Sequence, residues 1–75
     1  MNGIRLQECL KTMRWSGDTL ADAFGCGPDL VEAWIIGVED IPPKAAAWVE
    51  ALTKVHEVME NEKPTSLKGK VFKGL

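Results

Sequence analysis

Ser16-Gly-Asp-Thr-Leu-Ala-Asp-Ala-Phe-Gly-Cys-Gly-Pro-Asp-Leu-Val-Glu-Ala-Trp-Ile-Ile-Gly37 is the stretch on which the fold turns. It reads as two short helices joined by a tight turn. Leu20, Ala21 and Phe24 recur at helical spacing and give the first helix an apolar face. Ser16 is placed to cap it, with Thr19 three residues on where a capping box would have Glu or Gln. Gly25 comes directly after the last periodic residue and can take the left-handed conformation that ends a helix. Pro28 then opens the second helix, because a first helical residue needs no intrahelical N–H. Leu30, Val31, Trp34 and Ile35 form its apolar face, and Gly37 closes it. Two helices crossing steeply over so short a turn leave no room for a large side chain at the crossing. A small residue four before Gly25 (Ala21) and an aliphatic six after it (Val31) meet that need.

Working outward, residues 3–14 read as an amphipathic helix. Ile4, Leu6, Cys9, Leu10 and Met13 form its apolar side, and Arg5, Glu8, Lys11 and Arg14 its polar side. On the other flank, Val38–Ile41 is a connecting loop, and Pro42-Pro43 cannot continue a helix but can open one. From Lys44 the pattern is helical for about four turns. Trp48, Leu52, Val55 and Met59 lie on one stripe, with Ala45 and Val49 beside it. Residues 64–75 have no helical period; the weak alternation of Lys70-Val71-Phe72-Lys73 leaves a short strand or a binding arm open. The expected organisation is an all-α domain over residues 1–62 and a basic tail over residues 63–75.

Composition narrows the function classes. A chain of 75 residues with 45% hydrophobic and 27% charged residues is an ordinary single globular domain. Its core is small enough that pairing with a second copy would help it. No apolar run approaches the ~20 residues that span a bilayer, and the first residues lack a secretion signal's apolar segment. A cytoplasmic location and reduced Cys9 and Cys26 are therefore expected. Net charge is −2. Residues 28–60 hold seven acids against Lys44 and Lys54, whereas residues 61–75 hold Lys63, Lys68, Lys70 and Lys73 against Glu62. The body is acidic and the tail basic.

Catalytic chemistry finds little support. His56 is alone and far in sequence from either cysteine. Cys9 and Cys26 lack metal-ligand spacing. Gly25-Cys-Gly27 follows no strand, as a nucleotide-binding loop would. Trp15, Trp34 and Trp48 lie on or beside apolar faces and read as packing residues. The expectation is a non-enzyme with no catalytic residues, no metal, no cofactor and no small-molecule substrate.

Taken together, Ser16, Leu20, Ala21, Phe24, Gly25, Val31, Trp34, Gly37 and Pro42 resemble the helix-turn-helix of lambda-repressor/Cro-like (XRE-type) proteins, and the likeness runs from about Ile4 to His56. The resemblance implies a four- to five-helix lambda-repressor-like bundle that binds double-stranded DNA. The first helix of the pair would cross the backbone and the helix at about 28–36 would lie in the major groove. Ser16 and Gly17 would bring helical N–H groups to a phosphate. Gly27, Pro28, Asp29, Glu32 and Ala33 would face the groove. There Asp29 and Glu32 can accept from cytosine N4, and Ala33 can touch a thymine methyl. This chain departs from the family in offering two acids on that surface and Gly17 where glutamine is usual. Sequence-independent attraction would then fall to Lys11, Arg14, Lys44, Lys68, Lys70 and Lys73. The function so implied is a small transcriptional regulator, with a homodimer reading a palindrome as one arrangement. The alternative is the same fold as a protein-interaction module (an antirepressor or adaptor), with Asp29, Glu32, Glu39 and Asp40 as an acidic face.

Overall fold

A computed structural model describes residues 1–74. Four α-helices follow one another: α1 (Gly3–Met13), α2 (Gly17–Phe24), α3 (Pro28–Ile36) and α4 (Pro43–Glu62), with a 3-10 turn at Thr65–Leu67. The chain is all-α, and the described residues contain no strand. Lys70–Lys73 is irregular in the single chain.

The local chemistry places each helix end. Asn2 Oδ1 accepts from the Arg5 amide at 2.8 Å, and Ser16 Oγ from the Thr19 amide at 3.1 Å. Both satisfy amides that have no partner inside the helix. Pro28 and Pro43 occupy the first turns of α3 and α4. The first three helices close alike, the chain turning left-handed and sending a later N–H back to a carbonyl five residues earlier: Trp15 to Leu10, Cys26 to Ala21, Val38 to Ala33. Gly25 and Gly37 make this turn at φ 69° and 85°, as glycine readily does. At the end of α1 the residue in that conformation is Arg14, at φ 60°.

Leu6, Cys9, Leu10 and Met13 from α1, Leu20 and Ala21 from α2, Val31 and Trp34 from α3, Ile41 from the loop and Val49 from α4 form the core. Ala21 and Val31 are both fully buried, α2 packs on α3, and α1 packs on both α3 and α4. The beginning of α1 approaches the end of α3 so closely that a Cβ on Gly3 would overlap the Ile35 carbonyl oxygen, with the Trp34 oxygen 3.0 Å away. Only glycine fits that seat.

A second tie joins α1 to α4. Arg5 donates two hydrogen bonds to one carboxylate, Nε to Glu50 Oε1 at 2.7 Å and Nη2 to Oε2 at 3.0 Å. The hydrogen-bonded guanidinium holds the Glu50 carboxyl below the usual carboxylate range. The Cys9 thiol donates to the same carboxylate at 3.5 Å. Arg14 meets Glu60 further along, so α1 and α4 run in the same direction.

Three sequence expectations are corrected. Ile4 is 73% exposed and takes no part in the core. Leu30 is exposed beside buried Val31. On α4 the buried residues are Val49 and Thr53, while Trp48, Val55 and Met59 of the expected stripe are exposed and Leu52 is partly so. Thr53 can be buried because its hydroxyl donates to the Val49 carbonyl at 2.8 Å. Trp48 is left at the rim, in a continuous aromatic series: Trp34 to Phe24, Phe24 to Trp48, Trp48 to Trp15, and Trp15 to His56, at centroid separations of 6.0, 5.1, 6.2 and 6.4 Å. These spacings and tilts suit aromatic pairs.

Candidate nucleic-acid interface

α3 presents its opening turn to solvent because Val31 and Trp34 commit the opposite side to the core. Gly27, Pro28, Asp29 and Glu32 are exposed and Ala33 is half-buried. The first turn of α3 has no side-chain cap from Gly27. Asp29 supplies a local substitute: its Oδ1 accepts from the Leu30 amide at 3.1 Å. The carboxylate thus sits against the positive end of its own helix, where its charge is favoured. A Cβ on Gly27 would overlap that same Oδ1, so Gly27 also makes room for it.

At the start of α2, Ser16 Oγ lies 2.9 Å from Thr19 Oγ1 as well as capping the Thr19 amide. Gly17 is half-buried, and a Cβ there would meet Val31 Cγ1 at 3.5 Å, an ordinary contact. Glycine at position 17 is therefore no packing requirement. The Gly17–Val31 approach brings the opening of α2 beside α3.

The expected cationic residues lie elsewhere. Lys11 and Arg14 line a shallow cleft of about 630 Å³ with His56, Glu57, Glu60 and Asn61. There Arg14 Nη2 is 3.9 Å from Glu60 Oε1, and Lys63 Nζ is 3.0 Å from the same oxygen. The Lys63 hydrogen bond and its charge hold the Glu60 carboxyl below its usual range. Lys44 borders a different notch, with Ala23, Phe24, Pro42, Ala45 and Trp48. Lys68, Lys70 and Lys73 are exposed beyond α4. The polar surface of α3 itself carries Asp29 and Glu32 and no cation.

Other chemistry has no assembled site among the described residues. No three of His, Cys, Asp and Glu converge as metal ligands. Cys9 is buried, and burial pushes its thiol up; Cys26 is partly exposed, and both are free thiols. His56 Nδ1 lies 2.9 Å from the Leu52 carbonyl oxygen, which can only accept, so Nδ1 is the donor. No helix is long and apolar enough to cross a membrane.

Sequence reasoning missed three features. These are the seat of Gly3 on α3, the left-handed Arg14 and the bond from Asp29 to its own helix. Gly3 next to a capping Asn2 was the one visible cue, and it does not say what the glycine touches. Compared with known family models, curated proteins and solved structures, the chain matches none.

Proposed function

We propose that this chain is a small DNA-binding regulator that reads the major groove with the exposed opening of α3. The observation that carries the reading is the α2–α3 unit. A fully buried Ala21 lies four residues before a left-handed Gly25, a fully buried Val31 follows six after it, and the first turn of α3 faces solvent. These features support the reading, because helix-turn-helix proteins of the lambda-repressor/Cro type present a reading helix from such a short pair. In this role the amides at the start of α2 meet a phosphate. Glu32 accepts from cytosine N4, and Ala33 supports contact with a thymine methyl. Asp29, tied to the Leu30 amide, shapes the turn as well as lining it. Lysines outside α3 supply the general attraction.

Selection of bound duplexes from a random pool, followed by titration across salt, tests the reading. The expected outcome is a recovered consensus and an affinity that falls steeply between ~50 and ~200 mM salt. Glu32→Gln should change the preferred sequence, whereas alanine at Lys68, Lys70 and Lys73 should weaken all sequences alike. No enrichment at low salt would sink the proposal.

One observation favours a second reading. Asp29 and Glu32 are the charges on α3, and Lys11 and Arg14 share a cleft with Glu57 and Glu60 instead of flanking the helix. An acidic helix displayed this way suits a basic protein partner. If removing Glu32 tightens DNA binding uniformly without changing preference, the adaptor role gains.

A further inference from the structure

On α4, a strip on the side opposite Val49 and Thr53 is apolar and largely uncovered; at its edges Trp48 also touches Phe24 and Trp15, and Met59 borders the end of α1. Trp48, Val55, Val58 and Met59 are 42%, 52%, 60% and 60% exposed, and Ala51 is exposed between them. Trp48, Ala51, Val55 and Val58 follow one another at steps of three, four and three residues. That is the a/d pattern of a helix seam that packs on another helix. The same seam continues to Lys44 at one end, four residues before Trp48, and to Glu62 at the other, four after Val58. Val49 and Thr53, which dock on α1, lie on the opposite side.

We propose that a second copy of this chain covers this seam, its α4 running antiparallel about a two-fold axis at the level of Thr53. In an antiparallel pair, a positions meet d positions of the other helix. With the axis at that level, Trp48 meets Val58 of the other copy, Ala51 meets Val55, and Lys44 meets Glu62. Every one of these contacts occurs twice. The apolar residues match in size, large against medium and small against medium, and the two terminal charges are opposite. A parallel pairing would set Lys44 on Lys44 and Glu62 on Glu62. On one flank Met59 falls opposite Ala45, beside the notch that Phe24 and Trp48 border. On the other flank Lys54 faces its own symmetry mate; both side chains are exposed and can splay apart.

The seam and its rim bury on the order of 1,000 Å² in total, the lower limit of specific interfaces and the range of weak, exchanging dimers. The pairing does not rest on the DNA reading and is measured without DNA.

Sedimentation equilibrium of the chain from ~1 µM to ~1 mM is the test, and a reversible dimer with Kd in the micromolar range is expected. Val58→Glu, at an exposed position, should leave helical circular dichroism unchanged and weaken the dimer more than tenfold. Lys44→Glu or Glu62→Lys alone should weaken it about tenfold, since each turns two attractions into repulsions. The double variant Lys44→Glu/Glu62→Lys should restore it. A chain that stays monomeric to ~1 mM overturns the proposal, as does a dimer indifferent to Val58→Glu. A dimer lost with Val58→Glu but indifferent to the charge exchanges overturns the antiparallel register.

Discussion

Arg14→Gly should make this protein more stable. Arg14 holds φ 60° and ψ 37° at the end of α1, a conformation set by the Trp15 amide reaching back to the Leu10 carbonyl at 2.9 Å. A side chain with a Cβ pays ~1–2 kcal/mol for that backbone. Glycine does not pay it, but its freer unfolded chain returns ~0.4–1 kcal/mol. The guanidinium's own tie is slight, because Arg14 Nη2 stands 3.9 Å from Glu60 and the arginine side chain is 79% exposed. The net expectation is a gain of ~0.5–1 kcal/mol, which raises the melting temperature by roughly 2–8 °C in a domain of this size. Thermal and urea melts followed by circular dichroism measure it directly. Arg14→Ala is the control: it removes the same guanidinium but keeps the Cβ, and should stay within ~0.5 kcal/mol of the parent. A glycine variant that melts at or below the parent refutes the idea that this helix end is strained. If the proposed DNA binding holds and Arg14 meets a phosphate in it, the stabilised variant should bind all DNA sequences more weakly. Stability and affinity would then move in opposite directions from one substitution.

Gly3→Ala should cost ~1–3 kcal/mol or more, since the new Cβ can be relieved only by parting α1 from the Ile35 carbonyl; equal melting of the two proteins would show that α1 does not seat there. A thiol reagent on the native protein should modify Cys26 quickly and Cys9 only on unfolding, because Cys9 is buried and its thiolate disfavoured; two equally fast thiols would contradict the burial. Glu50→Gln should lower stability modestly at neutral pH. Because the carboxyl is held below its usual range in the folded chain, its contribution is complete above that range and fades as pH falls through the lowered value. Parent and variant should therefore converge in acid, and a gap that widens on acidification would reverse the sign.

Much of the helical order could be read from residue pattern alone. Ser16, Gly25, Pro28 and Gly37 are strong punctuation, and α2 and α3 fall at the positions their signals mark. Orientation was harder to read on α4. Hydrophobicity favours Trp48, Val55 and Met59 over Thr53, yet Thr53 is buried, since a hydroxyl bonded to the preceding turn loses little on leaving water. Trp48, Val55 and Met59, which looked like core, are exposed, and of that stripe Leu52 alone packs partly against the core. At the candidate interface, sequence identified the opening of α3 as a surface but not that Asp29 would be bound to its own helix, which depends on a rotamer. The separation of Lys11 and Arg14 from α3 was hidden for a similar reason. It follows from α1 and α4 lying side by side, a long-range packing choice.

The aromatic series from Trp34 through Phe24, Trp48 and Trp15 to His56 has an optical consequence. All three indoles belong to one connected set that draws on α3, α4 and the link between α1 and α2. Their emission is therefore a shared signal and not three local ones. Undocking α2, α3 or α4 removes a ring from the series and changes the surroundings of the indoles next to it. A fluorimeter trace that coincides with the loss of ellipticity would mark a domain that melts as a single unit.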